Sequence, residues 1–185
     1  MQFNGAYASA YDAERDSKPG WMAEHHAVAD WLKEGSVLDC PVGTGRFIPL
    51  YLGRRLPFIG MDRSEAMLEV CRSRFPAARL LTGDMLATGL PDQSYGTLVC
   101  VRLLPWLTPP EMAEALREAA RVAGRAIVSV RVDKVGGAVC WRGSLTHAWD
   151  EFRFAVQDAG LRVADVRETA HSPVGRFLMT LLEPR

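Results

Sequence analysis

Apolar positions along this chain follow two spacings that alternate, and the alternation predicts strands and helices in turn. The runs Pro57-Phe58-Ile59-Gly60-Met61, Arg79-Leu80-Leu81-Thr82, Thr97-Leu98-Val99-Cys100-Val101 and Ala126-Ile127-Val128-Ser129-Val130 join Val37-Leu38 as short, near-continuous apolar segments. Such runs are expected of strands buried on both faces. Between them apolar residues return at helical spacing, at Phe47, Ile48, Leu50 and Tyr51, then Met67, Leu68, Cys71 and Phe75, then Met112, Ala115, Leu116 and Ala119, and last Phe152, Val156 and Ala159. An earlier helix is expected through Met22, Val28, Trp31 and Leu32, between Pro19 and Gly35. Leu161 to Glu168 and Phe177 to Leu182 read as two closing strands, with Thr169 to Gly175 as a polar loop between them. Strands that alternate with helices in this way build an open, mostly parallel α/β sheet.

The ends of these elements carry their own signals. Ser64 is placed to cap one helix and Pro76 to stop it, while Thr108-Pro109-Pro110-Glu111 has the form of a capping box with proline at the first helical position. Pro49 must lie within a first helical turn, so that helix is expected to begin near Arg46 or Phe47. Thr146 or Ser144 is expected to cap the helix in which Asp150 and Glu151 come early.

One junction carries chemistry. Val37-Leu38-Asp39-Cys40-Pro41-Val42-Gly43-Thr44-Gly45-Arg46 reads as strand, tight glycine turn and helix start, the place where an open α/β sheet binds a nucleotide. Gly43 and Gly45 permit positive φ and close approach of a ligand to the backbone. Asp62 follows about 20 residues on, the offset at which a carboxylate accepts from ribose hydroxyls. An adenosine-type ligand is the first expectation. A dinucleotide fingerprint is incomplete, because Ile48 stands where a third small residue is needed, and Gly45-Arg46-Phe47 is not the Gly-Lys-Ser/Thr of a P-loop. Asp39 before the turn disfavours a pyrophosphate and suits an ammonium group.

These segments, with Gly60-Met61-Asp62-Arg63-Ser64 and Thr82-Gly83-Asp84-Met85, resemble the three successive cofactor motifs of class I S-adenosylmethionine-dependent methyltransferases. The resemblance runs from about Tyr7 to the C-terminus. It implies a Rossmann-like, doubly wound, mostly parallel seven-stranded sheet with an antiparallel last strand and helices on both faces, in a single domain. It also implies S-adenosyl-L-methionine as cofactor and S-adenosyl-L-homocysteine as product. The implied contacts are Pro41, Gly43 and Gly45 at the methionine part, Asp62 at the ribose with Arg63 beside it, and Asp84 at the adenine amino group with Met85 in the wall. Pro41 replaces the first glycine of the usual triplet, as in an Asp-x-Pro-x-Gly-Thr-Gly-Arg subgroup. In the resembled family an N-terminal segment closes over the cofactor, so residues 1–20 are expected as a lid with Tyr11 touching the cofactor.

The C-terminal end of the fourth strand, Arg102-Leu103-Leu104-Pro105-Trp106, is expected to emerge beside the cofactor. Arg102 either meets an anionic substrate or salt-bridges at the strand end. The segment is not the Asn/Asp-Pro-Pro-aromatic tetrad of enzymes that methylate base amines, and no Pro-Cys nucleophile is present. Methyl transfer mainly requires alignment and exclusion of water, so a base is optional; His147 is the candidate, against a packing role beside Trp149 or Trp141. Arg131, Trp106 and Trp141 are lesser candidates for shaping the acceptor pocket.

Charge narrows the partners. Twenty-two Lys and Arg balance 22 Asp and Glu, which removes the electrostatic footprint of a nucleic-acid-gripping protein. Cys40, Cys71, Cys100 and Cys140 form no metal-binding spacing and read as buried thiols of a reducing compartment. No apolar run approaches membrane-spanning length, and the expected setting is cytoplasmic. The leading expectation is methylation of an O, N or C atom of a small molecule. RNA or protein methylation, and non-catalytic cofactor binding, are the alternatives.

Overall fold

The computed structural model describes residue 10 and residues 20–133, 143–172 and 175–185. Helix α1 (Trp21–Trp31) is followed by β1 (Val37–Asp39), α2 (Ile48–Gly53), β2 (Phe58–Asp62), α3 (Glu65–Arg74), β3 (Leu80–Thr82) and β4 (Thr97–Cys100). A 3-10 turn (Leu104–Trp106) leads to α4 (Pro109–Val122), β5 (Ala126–Asp133), β6 (His147–Ala148), α5 (Trp149–Asp158), β7 (Leu161–Ser172) and β8 (Gly175–Pro184).

The sheet runs β3-β2-β1-β4-β5-β8-β7. Strands β1 to β5 are parallel, and β8 lies antiparallel between β5 and β7. The chain steps outward from β1 to β3 and then returns to the other side of β1 with β4. That reversal opens a crevice beyond the carboxyl ends of β1 and β4, where open α/β sheets bind ligands.

Side-chain alternation along each strand supplies two cores. Leu38, Leu98, Cys100 and Val128 face α4 and α5, packing with Met112, Leu116, Phe152 and Val156. Val37, Val99 and Ile127 face the other way, onto Val28 of α1, Tyr51 of α2 and Leu68 of α3. The strands are therefore dry on both sides, which is why they read as unbroken apolar runs.

Several expected ends hold. The Ser64 hydroxyl accepts from the Met67 amide at 3.4 Å, and the Glu111 carboxylate accepts from the Thr108 amide at 2.7 Å. Helix α2 starts at Ile48 with Phe47 as its cap, putting Pro49 where no intrahelical N–H is needed. The seven expected strands form the path of the sheet, and off it His147 and Ala148 pair in parallel with Val132 and Asp133 as the short β6. Two expectations are corrected. That pairing moves the cap of α5 to Ala148, so neither Thr146 nor Ser144 fills it; Thr146 instead donates to Asp133 at 2.5 Å. Most of the segment expected as a polar loop is ladder: β7 continues through Ser172, pairing His171 with Arg176. A hairpin ladder is held by backbone bonds and tolerates polar side chains, so polarity alone did not reveal it.

Candidate active site

The crevice holds a cavity of about 610 Å³ lined from the ends of β1, β2, β4 and β5 and the loops that follow. Its floor is the turn after β1. The Val42 amide donates to Met61 O at 2.8 Å, binding the turn to β2. The Gly43 backbone has φ of +56°, and a Cβ there would meet no atom within 4 Å, so the space beside it stands open. Gly43 donates to Asp62 Oδ2 at 2.9 Å, and the Ser64 amide donates to Asp62 Oδ1 at 2.8 Å. Burial pushes the Asp62 carboxyl above its usual range, opposed by the Ser64 and Gly43 amides.

The structure brings Pro41, Gly43, Asp62, Arg63, Asp84, Met85 and Arg102 to the cavity wall. Asp84 Oδ1 accepts from the Leu86 amide at 3.0 Å, and its other oxygen lies 3.9 Å from Arg63 Nη1. Buried Met85 and the neighbouring Leu86 supply an apolar wall. Trp106, Pro105 and Leu107, carried on the turn after β4, close another side.

Three of the expected residues lie away from the cavity lining. Asp39 does not line the cavity; it is 2 % exposed and accepts from the Tyr51 hydroxyl at 3.0 Å beneath it. Burial raises its carboxyl to about 8, with the Tyr51 hydrogen bond opposing. Gly45 turns from the cavity as well: a Cβ there would meet Phe75, Cys71 and Ile48 at 2.8–2.9 Å, so its smallness serves helix packing. His147 is fully buried and absent from the lining. Its Nε2 donates to Leu104 O at 3.0 Å, and Nδ1 faces Glu151 at 3.7 Å. It therefore holds the turn that carries Trp106 from behind. Tyr11 and Trp141 lie outside the described residues.

Glu24 and Phe177 escaped the sequence reading. Glu24 of α1 is fully buried, with Arg46 Nη1 2.6 Å from one carboxylate oxygen and Arg102 Nη2 2.6 Å from the other. The signal was there: Trp21, Glu24, Val28 and Trp31 share a helical stripe, and a lone carboxylate on an apolar stripe needs a charged partner. Arg102 has φ of +68°, uncommon for a side-chain-bearing residue, and its amide donates to Ser129 Oγ at 2.6 Å. Strain of this kind clusters at functional sites. Arg131 from β5 completes the wall beside Phe177, whose ring centroid lies 4.2 Å from the Arg102 guanidinium carbon and 4.3 Å from that of Arg131.

Among the described residues no group of three metal-ligating side chains forms, and no helix is long and apolar enough to cross a membrane. Residues 37–125 match a family described as a methyltransferase domain. The chain is 27 % identical over 120 residues to an uncharacterised methyltransferase-like protein of Schizosaccharomyces pombe, a match spanning 60 % of this chain and 43 % of that one. It is 26 % identical over 165 residues to a phosphatidylethanolamine N-methyltransferase of Cereibacter sphaeroides, covering 82 % of this chain and 81 % of the relative. In fold it is similar to an S-adenosylmethionine-dependent methyltransferase of Thermotoga maritima, with a TM-score of 0.74, 22 % identity and coverage of 98 % and 97 %. A methyltransferase domain over residues 37–125 and the order of the sheet are what the chain shares with class I S-adenosylmethionine-dependent methyltransferases.

Proposed function

We propose that the chain moves the methyl group of S-adenosyl-L-methionine, by in-line displacement, to an O, N or C atom of a small molecule and releases S-adenosyl-L-homocysteine. The observation that carries this is the cavity itself. About 610 Å³ holds Gly43, Asp62 and Asp84 together with Trp106 and Phe177, a size suited to compact ligands. Its residues fit the donor: open space beside Gly43 admits an amino-acid end, the buried Asp62 carboxylate can accept from ribose hydroxyls, and Asp84, Met85 and Leu86 offer an acceptor beside an apolar wall.

The donor supplies a methyl group on sulfur that is already activated, so the chain has only to align the acceptor and keep water away. Trp106 and Pro105 do the excluding, and His147 fixes their turn from behind. On this reading the segment from Asp39 to Arg46 marks the subgroup with proline in place of the first glycine, Tyr11 belongs to an N-terminal lid, and the setting is the cytoplasm.

Macromolecular acceptors are disfavoured by the arginines. Arg46 and Arg102 turn inward onto Glu24, and Arg54 donates to Leu32 O at 3.3 Å, so they do not make the basic groove that RNA would need. Similarity to a phosphatidylethanolamine N-methyltransferase puts nitrogen first among acceptor atoms to test. Calorimetry with the donor and its demethylated product, then transfer of labelled methyl to a panel of amines, phenols and carboxylates beside RNA and protein, tests the proposal. No heat with either nucleoside would sink it; tight binding without turnover across the panel would favour a non-catalytic role.

A further inference from the structure

We infer that the acceptor carries an anionic group, a carboxylate or a phosphate, and that Arg131, with Arg102 beside it, receives it. The word acceptor rests on the methyl-transfer reading; the anion site stands on the residues alone. Around this end of the cavity are three guanidiniums, Arg46, Arg102 and Arg131, and among the described residues a single carboxylate within ion-pair distance of any of them, Glu24. Glu24 spends one oxygen on Arg46 and the other on Arg102. Arg131 is left without a counter-charge among the described residues.

Arg131 is half-buried and held in place. Its Nη1 donates to Ser144 Oγ at 2.8 Å, and the guanidinium rests against the Phe177 ring. The Nε groups of Arg131 and Arg102 are both buried without a hydrogen-bond partner among the described residues. A guanidinium stacked on a ring keeps its N–H edge free for a carboxylate or phosphate, the groups its fork matches. Leaving such a cation partly desolvated and unpaired is costly, and a bound anion offsets that cost.

Position assigns the anion to the acceptor. Arg46 follows the glycine turn after β1, whereas Arg131 lies on β5, two strands away across β4, a lateral separation of roughly 10 Å by strand spacing. The side of the cavity that Arg131 shares with Trp106, Ser144 and Phe177 is the one left to the second substrate.

The test uses four aromatic probes of one size, benzoate, phenyl phosphate, benzamide and benzylamine, titrated by calorimetry with and without saturating S-adenosyl-L-homocysteine. Benzoate or phenyl phosphate should bind about tenfold or more tightly than benzamide and benzylamine, as a charge-assisted contact gives. The tighter of the two anions tells carboxylate from phosphate. R131Q should erase the preference and R131K should keep part of it, both leaving the affinity for S-adenosyl-L-homocysteine unchanged. Equal binding of benzoate, phenyl phosphate and benzamide, or a preference that survives R131Q, overturns the inference even where the nucleoside binds. A preference for anions in a chain that ignores the nucleoside would keep the anion site and sink the methyl-transfer reading.

Discussion

The Gly43 amide and the Asp62 carboxylate meet at 2.9 Å, joining the glycine turn to the end of the second strand. The other Asp62 oxygen takes the Ser64 amide, so one carboxylate orders the two loops that face the cavity. Replacing Asp62 by Ala removes both acceptors and is expected to weaken S-adenosyl-L-homocysteine by about tenfold or more, on the scale of charge-assisted hydrogen bonds. Asn should be little better, because its NH2 confronts one of the two amides as donor against donor. Calorimetry on both variants checks this, and unchanged heats would remove Asp62 from the donor site.

The two glycines of the turn should separate in their phenotypes. Gly45→Ala adds a Cβ within 2.9 Å of Phe75 and Cys71 at φ of +85°, so the loss falls on the fold. Gly43→Ala faces open cavity at φ of +56° and costs about 1 kcal/mol in backbone strain. Its Cβ then occupies donor space. Thermal melts should show the larger drop for Gly45→Ala and calorimetry the larger loss of nucleoside affinity for Gly43→Ala; the reverse order would contradict the geometry.

The buried Asp39 makes stability fall as pH rises. Unfolded, the acid releases its proton at its ordinary 3.8; folded, burial holds it to about 8. Between those values the folded chain binds the extra proton, so the contribution is complete below about 4 and drains away as pH climbs towards 8, at up to about 1.4 kcal/mol per pH unit. Asp39→Asn keeps an oxygen for the Tyr51 hydroxyl and cannot ionise. Denaturant melts from pH 5 to pH 8 should decline more steeply for the parent chain than for the variant. Parallel curves would show that Asp39 is not buried as described.

The strands and helices were legible because burial on both faces writes itself as unbroken apolar runs, and the caps because Ser64 and Glu111 answer local backbone needs. That Gly43, Asp62 and Asp84 meet at one crevice was legible from spacing and resemblance. What stayed hidden depends on three-dimensional neighbours. Asp39 and Gly45 sit in the same decapeptide as Gly43, yet Tyr51 and Phe75, each contributed by a different helix or its end, decide that they face the core. Phe177 reads as any strand aromatic until β8 inserts beside β5 and brings it between two arginines. His147 looked like a helix-start residue because a two-residue strand leaves no periodic trace.

The buried place of His147 has a kinetic consequence. His147→Ala removes a fully buried ring and one of the two donors to Leu104 O, the Leu107 amide remaining, a loss of roughly 2 kcal/mol or more. His147→Gln retains an N–H for that carbonyl. Once an acceptor is in hand, the pH dependence of turnover for His147→Gln should overlay that of the parent chain, with any change appearing as a uniform scaling. Loss of one limb of the profile would restore the histidine as a base.

Glu24 should matter more to the fold than its place on a surface helix suggests. It is fully buried, and its two oxygens reach Arg46 beside the glycine turn and Arg102 at the end of β4. A carboxylate so placed braces both walls of the cavity from α1. Glu24→Gln leaves two guanidiniums partly desolvated with no counter-charge and should destabilise the chain by about 3 kcal/mol, as removal of one member of a buried ion pair does. Glu24→Asp keeps the charge on a shorter stem that reaches at most one arginine well, so its loss should be intermediate. Because Arg102 stands in left-handed backbone held partly by this contact, Glu24→Gln should also let its side chain move, raising the KM for an anionic acceptor more than it lowers kcat. Denaturant titration measures the first effect and steady-state kinetics the second. A Glu24→Gln chain within about 0.5 kcal/mol of the parent would mean that the pairs do no more than offset their own desolvation.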